Sequence, residues 1–537
     1  MIQRIITTIF LAATITIVSG AESRPRHYVP DGNSVVTTDG GARFNRALYG
    51  AHSGFRMDCS DTPEFGIYLP RMGGNLLLTL PEGKCTARYT PGRMDYEQSG
   101  IKVEAQVMRS KDMALWAITN TTDHPVSVPV RFGGVAEKKF YREGDLGVDD
   151  PTCFDLKPEY CKGNVYTVDG DLINVEYGAK ERKNLTLVIP STTYHVNSLP
   201  AYEGVIDLKP GEQKIIALFP PGNVPSESLD QLLAQAEKER AELTASVEFS
   251  TPDAWLNPIG GALAVAADGI WSGEAWLHGS IGWRTPHLGW RGAYVGSAIG
   301  RHDRALTHFN TYASNQITDI PPVLSHPRQD STLNLARAEK KWGTPMYSNG
   351  YICRRPGKKD EMSHYDMNLV YIDAMLRHFR HTGDTAAMRK LYPVVKLHLD
   401  WEKRNFDSDG DHLYDAYCCI WASDALYYSG GAVTHSSAYN LFANRLTAQL
   451  AEAIDISDTY MGSIERGERS LTLDTLVRLV NRLGVTVDYL LADSVTDTDS
   501  NIMEQFKQIM DQQPLERKQM AINVLRTIFS YFDQEGA

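Results

Sequence analysis

The feature that most constrains this chain is a change of hydrophobic period near residue 225. Upstream, apolar and polar residues alternate throughout 101-IKVEAQVM-108 and nearly so in 126-VSVPVRF-132, and 173-INVEYGA-179, 185-LTLVIP-190 and 214-KIIALF-219 continue the run. A period of two puts every second side chain on one face of a strand, so that one face can be buried. Turn signals such as 168-VDGD-171 and 209-KPGE-212 separate the runs, and no helical spacing intervenes. Many short strands without crossover helices predict an antiparallel β-sandwich over 30–222, with a closed barrel as the alternative. Downstream, 225-PSESLDQLLAQAEKERAELTASV-247 places leucines and alanines at helical spacing among charges, and Ser226 or Ser228 can cap it. This predicts a linker helix over 223–250. Helical spacing then recurs at 254–268, 297–314, 366–382, 385–404 and 436–454 between long aromatic loops, which predicts a partial toroid of paired helices over 251–447.

The first 21 residues carry a different signal. Arg4 precedes an apolar run from Ile5 to Val18, and Ser19-Gly20-Ala21 follows as a small-residue cleavage site. That is the layout of an export signal, too short to span a bilayer comfortably, and a buried N-terminal strand is the alternative. It predicts a periplasmic or secreted chain without a membrane span once processed. The seven cysteines include two pairs close in sequence, Cys59 with Cys85 and Cys153 with Cys161, which suggest bridges in an oxidising compartment. None has metal-ligand spacing, and no metal or cofactor is expected. A net charge of −12 speaks against a surface that holds nucleic acid by general electrostatics.

Between 282 and 440 four stretches concentrate aromatic, acidic and imidazole side chains: 282-GWRTPHLGWRGAYVG-296, 363-SHYDMNLVYIDAMLRHFRHTGD-384, 407-DSDGDHLYDAY-417 and 421-WASDALYYSGGAVTHSSAYN-440. Ring faces with Arg, Asp, His and Asn around them suit sugar binding, and glycosidic cleavage needs two carboxyl groups in addition. With 290-WRGAYVG-296 and WASD…GGAVTHSSAYN as its most specific parts, residues 30–447 resemble the six-hairpin, (α/α)6-barrel glycosidases, and more closely a bacterial family known as domain of unknown function 4450. The resemblance implies a sandwich, a linker helix and a catalytic toroid acting on an oligo- or polysaccharide. Asp424, beside Trp421, is then the first candidate for general acid, since an aromatic wall could hold its carboxyl protonated; a helix cap is the alternative. Asp366, which could equally be a cap, and Glu361 are further catalytic candidates. Trp283, Trp290, Arg291, Tyr351, His364, Trp421 and His435 are candidate substrate contacts, although Arg291 beside Trp290 could be a packing pair. Asp407, Asp409 and Asp411 imitate the start of a calcium loop, but its twelfth place falls on Cys418 and a plain turn fits better. The segment holds about half the helices of a complete ring, so truncation is expected to impair catalysis.

The stretch 446-LTAQLAEAIDISDTYMGSIERGERSLTLDTLVRLVNRLGVTVDYLL-491 raises a separate expectation. Leu450, Ala451 and Ile454 give one helix an apolar face, and Ile456-Ser457 makes a turn. Asp458 to Arg466 forms a second helix, Gly467 stops it, Ser470 or Thr472 caps a third, and Gly484 ends that one. The stretch resembles the Cro/repressor-type helix-turn-helix of the xenobiotic-response-element family. The resemblance implies DNA as partner through 446–492, with Ser457, Asp458, Thr459 and Ser463 toward base edges and Arg466 toward the backbone. Its usual basic first helix is missing, since 436-SSAYNLFAN-444 belongs to the toroid pattern. After it, 493–537 reads as a polar linker and a helical tail.

Both patterns claim the helix around Arg445 to Ala451, and one amphipathic face cannot readily bury itself in two cores. This predicts a junction between segments of separate origin. The leading expectation for most of the chain is an exported glycoside hydrolase type of protein. A sequence-specific DNA-binding regulator with a sensor or passenger domain, and a non-catalytic glycan-binding protein, are the alternatives.

Overall fold

The computed structural model describes residues 28–38, 40–50, 54–69, 72–136, 154–178, 184–219, 225–279, 284–289, 291–321, 347–359, 366–407, 410–414, 433–454, 510–511, 513–515 and 517–523. It divides into two units, Met1–Thr447 and Ala448–Ala537.

The alternating segments pair into two antiparallel sheets. The ten-stranded sheet runs, in spatial order, β1 (Val29–Asp31), β2 (Ser34–Thr37), β7 (Thr86–Thr90), β8 (Arg93–Gln98), β9 (Ile101–Met108), β10 (Met113–Asn120), β17 (Gln213–Phe219), β14 (Asn184–Val188), β13 (Leu172–Glu176) and β12 (Val165–Asp169). The seven-stranded sheet runs β15 (Thr193–Val196), β16 (Tyr202–Leu208), β11 (Val126–Ala136), β6 (Met72–Leu78), β5 (Glu64–Leu69), β4 (Arg56–Cys59) and β3 (Arg46–Tyr49). Both orders are open among the described strands, so the chain does not take the closed-barrel alternative there. One apolar core joins the two inner faces: Met57, Phe65, Ile67 and Leu76 from one sheet meet Met94, Val103, Trp116 and Ile216 from the other. The Phe65 ring meets Trp116 and Tyr96 edge-on, each 5.6 Å away between centroids. A short helix, α1 (Pro158–Cys161), interrupts the strands.

Strand β10 reads MALWAITN, apolar almost without a break, because both of its faces are covered. Ala114, Trp116 and Ile118 enter the inter-sheet core, whereas Met113, Leu115 and Ala117 meet Leu232 and Ala236 of helix α2 (Leu229–Thr244). Ser228 caps that helix in a reciprocal box with Gln231, which satisfies two backbone N–H groups left over at a helix start. Burial of Leu232 contributes about 2 kcal/mol. The backbone N–H groups of Arg109 and Ser110 both donate to Glu239, 3.1 Å each, which pins α2 to the β9–β10 turn.

The bridge suggested between Cys59 and Cys85 is not formed, both being free thiols; Cys161 is also a free thiol, and its suggested partner Cys153 lies outside the described residues. Cys59 lies on β4 inside the core beside Tyr96, and burial pushes its thiol well up.

Among the described residues up to 454, six helices follow the linker helix: α3 (Asn257–Gly269), α4 (Arg291–Ala298), α5 (His302–Ala313), α6 (Asp366–Thr382), α7 (Thr385–Phe406) and α8 (Thr434–Ile454). The single helix expected at 297–314 is two helices. Gly300, at φ +75°, turns the chain through the left-handed region between α4 and α5, where a side chain would be strained. Asp268 at the end of α3 is 2 % exposed and pairs with Arg109 of the sheet turn and Arg304 of α5, the latter at 2.7 Å. A short helical stretch occupies 517–523. Among the described residues no helix is long and apolar enough to cross a membrane.

Candidate functional site

Two groups of polar side chains lie around α6, α7 and α8. The apolar stripe of α7 runs Leu391, Val395, His398, Glu402, so two polar groups occupy positions at which the helix is buried. Both are fully enclosed. Asn440 of α8 donates to Glu402 Oε2 at 3.1 Å, while Oε1 has no hydrogen-bond partner among the described residues. Burial, seconded by the charge of Asp366, pushes the Glu402 carboxyl up to about 8. His398 Nε2 lies 3.8 Å from Glu402 Oε1, the distance of an ion pair. Burial nevertheless pushes His398 down to about 3. Both groups are therefore neutral at pH 7, and the contact is between an imidazole and a carboxylic acid.

A neighbouring face of α8 walls an open recess of about 530 Å³ with α4 and α6. Its floor is Asp373, 3 % exposed, which accepts from Tyr294 Oη at 2.5 Å and from Arg377 Nε at 2.8 Å. Tyr294 is hydrogen-bonded in turn to Tyr439, and burial with the Asp373 charge drives its phenol pKa upward. The Arg377 guanidinium lies over the Phe442 ring, 4.9 Å from its centroid. His435 stands beside Tyr439 at 6.2 Å, and burial lowers its pKa, which favours the neutral ring. Spacing sets this assembly: Asp373 and Arg377 lie one turn apart on α6, and His435, Tyr439 and Phe442 share a face of α8.

The sequence-predicted residues fall differently. Asp366 opens α6 and is buried against the Glu402 cluster; His435 lines the recess. Tyr351 is fully buried, with Tyr347 at 5.7 Å and Trp401 at 5.6 Å. Arg291 is the first residue of α4. Glu361, Asp424, Trp283, Trp290, His364 and Trp421 lie outside the described residues, as do Ser457, Asp458, Thr459, Ser463 and Arg466. In the imitation calcium loop, Asp407 and Asp411 accept from the backbone N–H groups of His412 and Leu413, the pattern of a turn. The described residues contain no cluster of three or more side chains able to hold a metal ion. Glu402, His398, Asp373, Arg377 and Tyr294 were not singled out by the sequence. The available signal for the first two was their place on the apolar stripe of α7.

Comparison with known families separates the two parts of the chain. Residues 69–224 match the domain of unknown function DUF4450, and residues 443–490 match the helix-turn-helix family. The transcriptional repressor RstR of the cryptic phage CTXphi, from Vibrio cholerae, is 34% identical over 82 residues, 15% of this chain and 71% of that protein. The control protein C.SmaI of Serratia marcescens is 43% identical over 53 residues, 10% of this chain and 63% of that protein.

These findings correct the leading expectation. The DUF4450 match falls on strands β6 to β17 and leaves the helices of 251–447 untouched. The family is thus all-β here, not a helical six-hairpin barrel, and the glycoside hydrolase activity and saccharide partner that rested on that barrel lose their support. Of the aromatic candidates, Tyr351 is described and packs inside the core, whereas Trp283, Trp290 and Trp421 lie outside the described residues. Besides Tyr351 with Trp401, Phe309 packs on Tyr371 at 5.8 Å and Trp401 on Phe406 at 5.2 Å, all inside the core. The repressor-like relative, more than two-thirds of whose length is covered at this identity, shows the family of the C-terminal segment. Through residues 443–490 the chain belongs to the helix-turn-helix family.

Proposed function

We propose that this chain is a sequence-specific DNA-binding regulator whose reader is the segment 446–492. The observation that carries the reading is the 34% identity to a transcriptional repressor across 71% of that protein's length. The likeness to a control protein supports it. Ser457, Asp458, Thr459 and Ser463 face base edges in this reading, and Arg466 meets the phosphate backbone. The two open sheets then form a sandwich that, with the helices of 251–447, serves as a sensor part. The working compartment is the one that holds the DNA.

The test is selection of binding sites by the full chain from a randomised duplex pool, followed by fluorescence anisotropy on the enriched duplex at 150 mM salt. The reading expects an enriched motif, and a specific complex at least about a thousandfold tighter than that with unrelated duplex. Ser463→Ala is expected to relax preference at one position, and Arg466→Ala to weaken all duplexes alike. A pool that returns no motif, with equal affinity for every duplex, overturns it.

A further inference from the structure

The recess between α4, α6 and α8 is a built site that the DNA-reading role leaves unused. Its volume of about 530 Å³ lies within the range of small-ligand pockets. The charged groups inside it are arranged with one edge to spare. Asp373 is engaged twice, by Tyr294 and by Arg377 Nε. Arg377 is held from below by the Phe442 face, and among the described residues its Nη1 and Nη2 make no hydrogen bond or ion pair. The side chain is 48 % exposed, so that edge is open to a ligand. A guanidinium fixed in this way presents parallel N–H groups that match the two oxygens of a carboxylate. Around it Tyr439, His435 and Ala438 offer flat or small surfaces suited to a planar apolar body. Both donors to Asp373 fall on its Oδ2, so Oδ1 stays an acceptor on the floor of the recess, but the ring face that an organic cation would stack on, that of Phe442, is already covered by Arg377.

We propose that this recess binds a small carboxylate with a flat apolar body, and that the ligand is the effector of the helix-turn-helix segment. The effector half rests on the DNA-binding reading above. The link is helix α8: His435, Ala438, Tyr439 and Phe442 wall the recess, and the family match begins at the next residue, Ala443. A ligand seated on Arg377 and against the recess face of α8 acts on the helix that supplies the first residues of the reader. Any difference in its affinity between DNA-bound and free chain then appears as a reciprocal change in DNA affinity.

The probe is benzoate, titrated calorimetrically into the full chain, with benzamide and benzylammonium as neutral and cationic counterparts. Saturable binding of one benzoate per chain is expected, with both counterparts at least about tenfold weaker. Arg377→Gln should lose about tenfold or more, and Ala438→Met, which fills the recess without touching its charges, should lose binding as well. Unchanged melting curves certify the fold of each variant. No saturation by about 10 mM, or equal binding by Arg377→Gln and wild type, overturns the site. In the second arm, saturating benzoate should change the Kd for the enriched duplex at least about threefold, within the usual range of coupling. An unchanged Kd beside proven benzoate binding overturns the effector role. If no duplex binds specifically, the regulator reading and the effector role fall together, while the benzoate titration still decides the chemistry of the recess.

Discussion

Replacing Glu402 by glutamine should stabilise the protein at neutral pH and leave it unchanged in mild acid. Glu402 is completely buried, and its carboxyl is pushed from the ordinary 4.5 up to about 8. In the unfolded chain it ionises near 4.5; in the folded protein it keeps its proton. For an acid whose folded pKa is raised, its contribution to stability is fully present below pH 4.5 and is lost as pH climbs toward 8. At 1.36 kcal/mol per pH unit, the loss reaches about 3 kcal/mol at pH 7. Glutamine has the same shape, carries no proton to lose, and can still accept from Asn440 Nδ2. Its amide can also donate toward the neutral His398, whose ring nitrogens have no partner among the described residues.

The measurement is a set of thermal melts followed by near-ultraviolet circular dichroism at pH 5, 6, 7 and 8 in one ionic strength. About 3 kcal/mol corresponds to a rise of about 3 °C in a unit the size of Met1–Thr447, at about 2.1 cal/mol/K of unfolding entropy per residue. The difference between variant and wild type should stay below about 1 kcal/mol at pH 5 and widen to about 3 kcal/mol by pH 7. Taking the difference removes the other buried titrations, since His398, His308 and His287, all pushed down by burial, are common to both chains. Parallel curves from pH 5 to 8 would refute the claim that Glu402 is held protonated.

Other consequences are simpler. Trp116→Ala, at the fully buried centre of the inter-sheet core, should cost about 3–5 kcal/mol in chemical denaturation; a loss below 1 kcal/mol would mean the two sheets do not share one core. Asp268→Asn strands Arg109 and Arg304 beside a buried amide, and should cost about 3 kcal/mol, read as an earlier melt that 1 M salt does not reproduce in the wild type. Leu446→Ala, where the leucine is 2 % exposed on α8, should cost about 2–5 kcal/mol in the unit that ends at Thr447; an unchanged melt would remove α8 from that core. For DNA, residues 443–490 hold five arginines, no lysine and seven acidic residues. The slope of log affinity against log salt should therefore be no steeper than about −4.5 per bound chain, and a steeper anisotropy titration would show that basic groups elsewhere reach the phosphates.

The alternation of 101–108 and 126–132 was enough to find strands, because a half-buried sheet imposes its period on the sequence. It could not say which strands are covered on both sides; β10 is, and its unbroken apolar run records α2 on the outer face. Gly300 shows the limit at helices: spacing alone carried 297–314 through a residue whose backbone turns the chain. The larger failure was chemical. Clusters of Tyr and Trp look alike whether they face a ligand or one another, and here Tyr351, Trp401, Phe309 and Tyr371 face one another. Glu402 and His398 lie on the buried stripe of α7, where a polar residue is costly and therefore informative. The helix-turn-helix was legible because turn residues, caps and apolar positions fall at fixed offsets within one short segment.

The objection that one amphipathic helix cannot serve two cores weakens once α8 is laid out along its axis. Ala443, Leu446 and Thr447 are buried in the first unit, and the division between units falls immediately after Thr447. Leu450 follows at seven residues from Ala443, which places it on the continuation of the same stripe rather than on an opposing face, while the side chains of Ala451 and Ile454 lie outside the described ones. A stripe divided by length asks nothing contradictory of the helix, because each turn needs only one neighbour, and at 1.5 Å per residue the seven residues from Ala448 to Ile454 supply two turns. The requirement is that polar positions keep to the other side, and Asn444, Arg445, Ala448 and Gln449 are exposed. The helix-turn-helix match, which begins at Ala443, thus enters α8 with the apolar register carried through from the first unit.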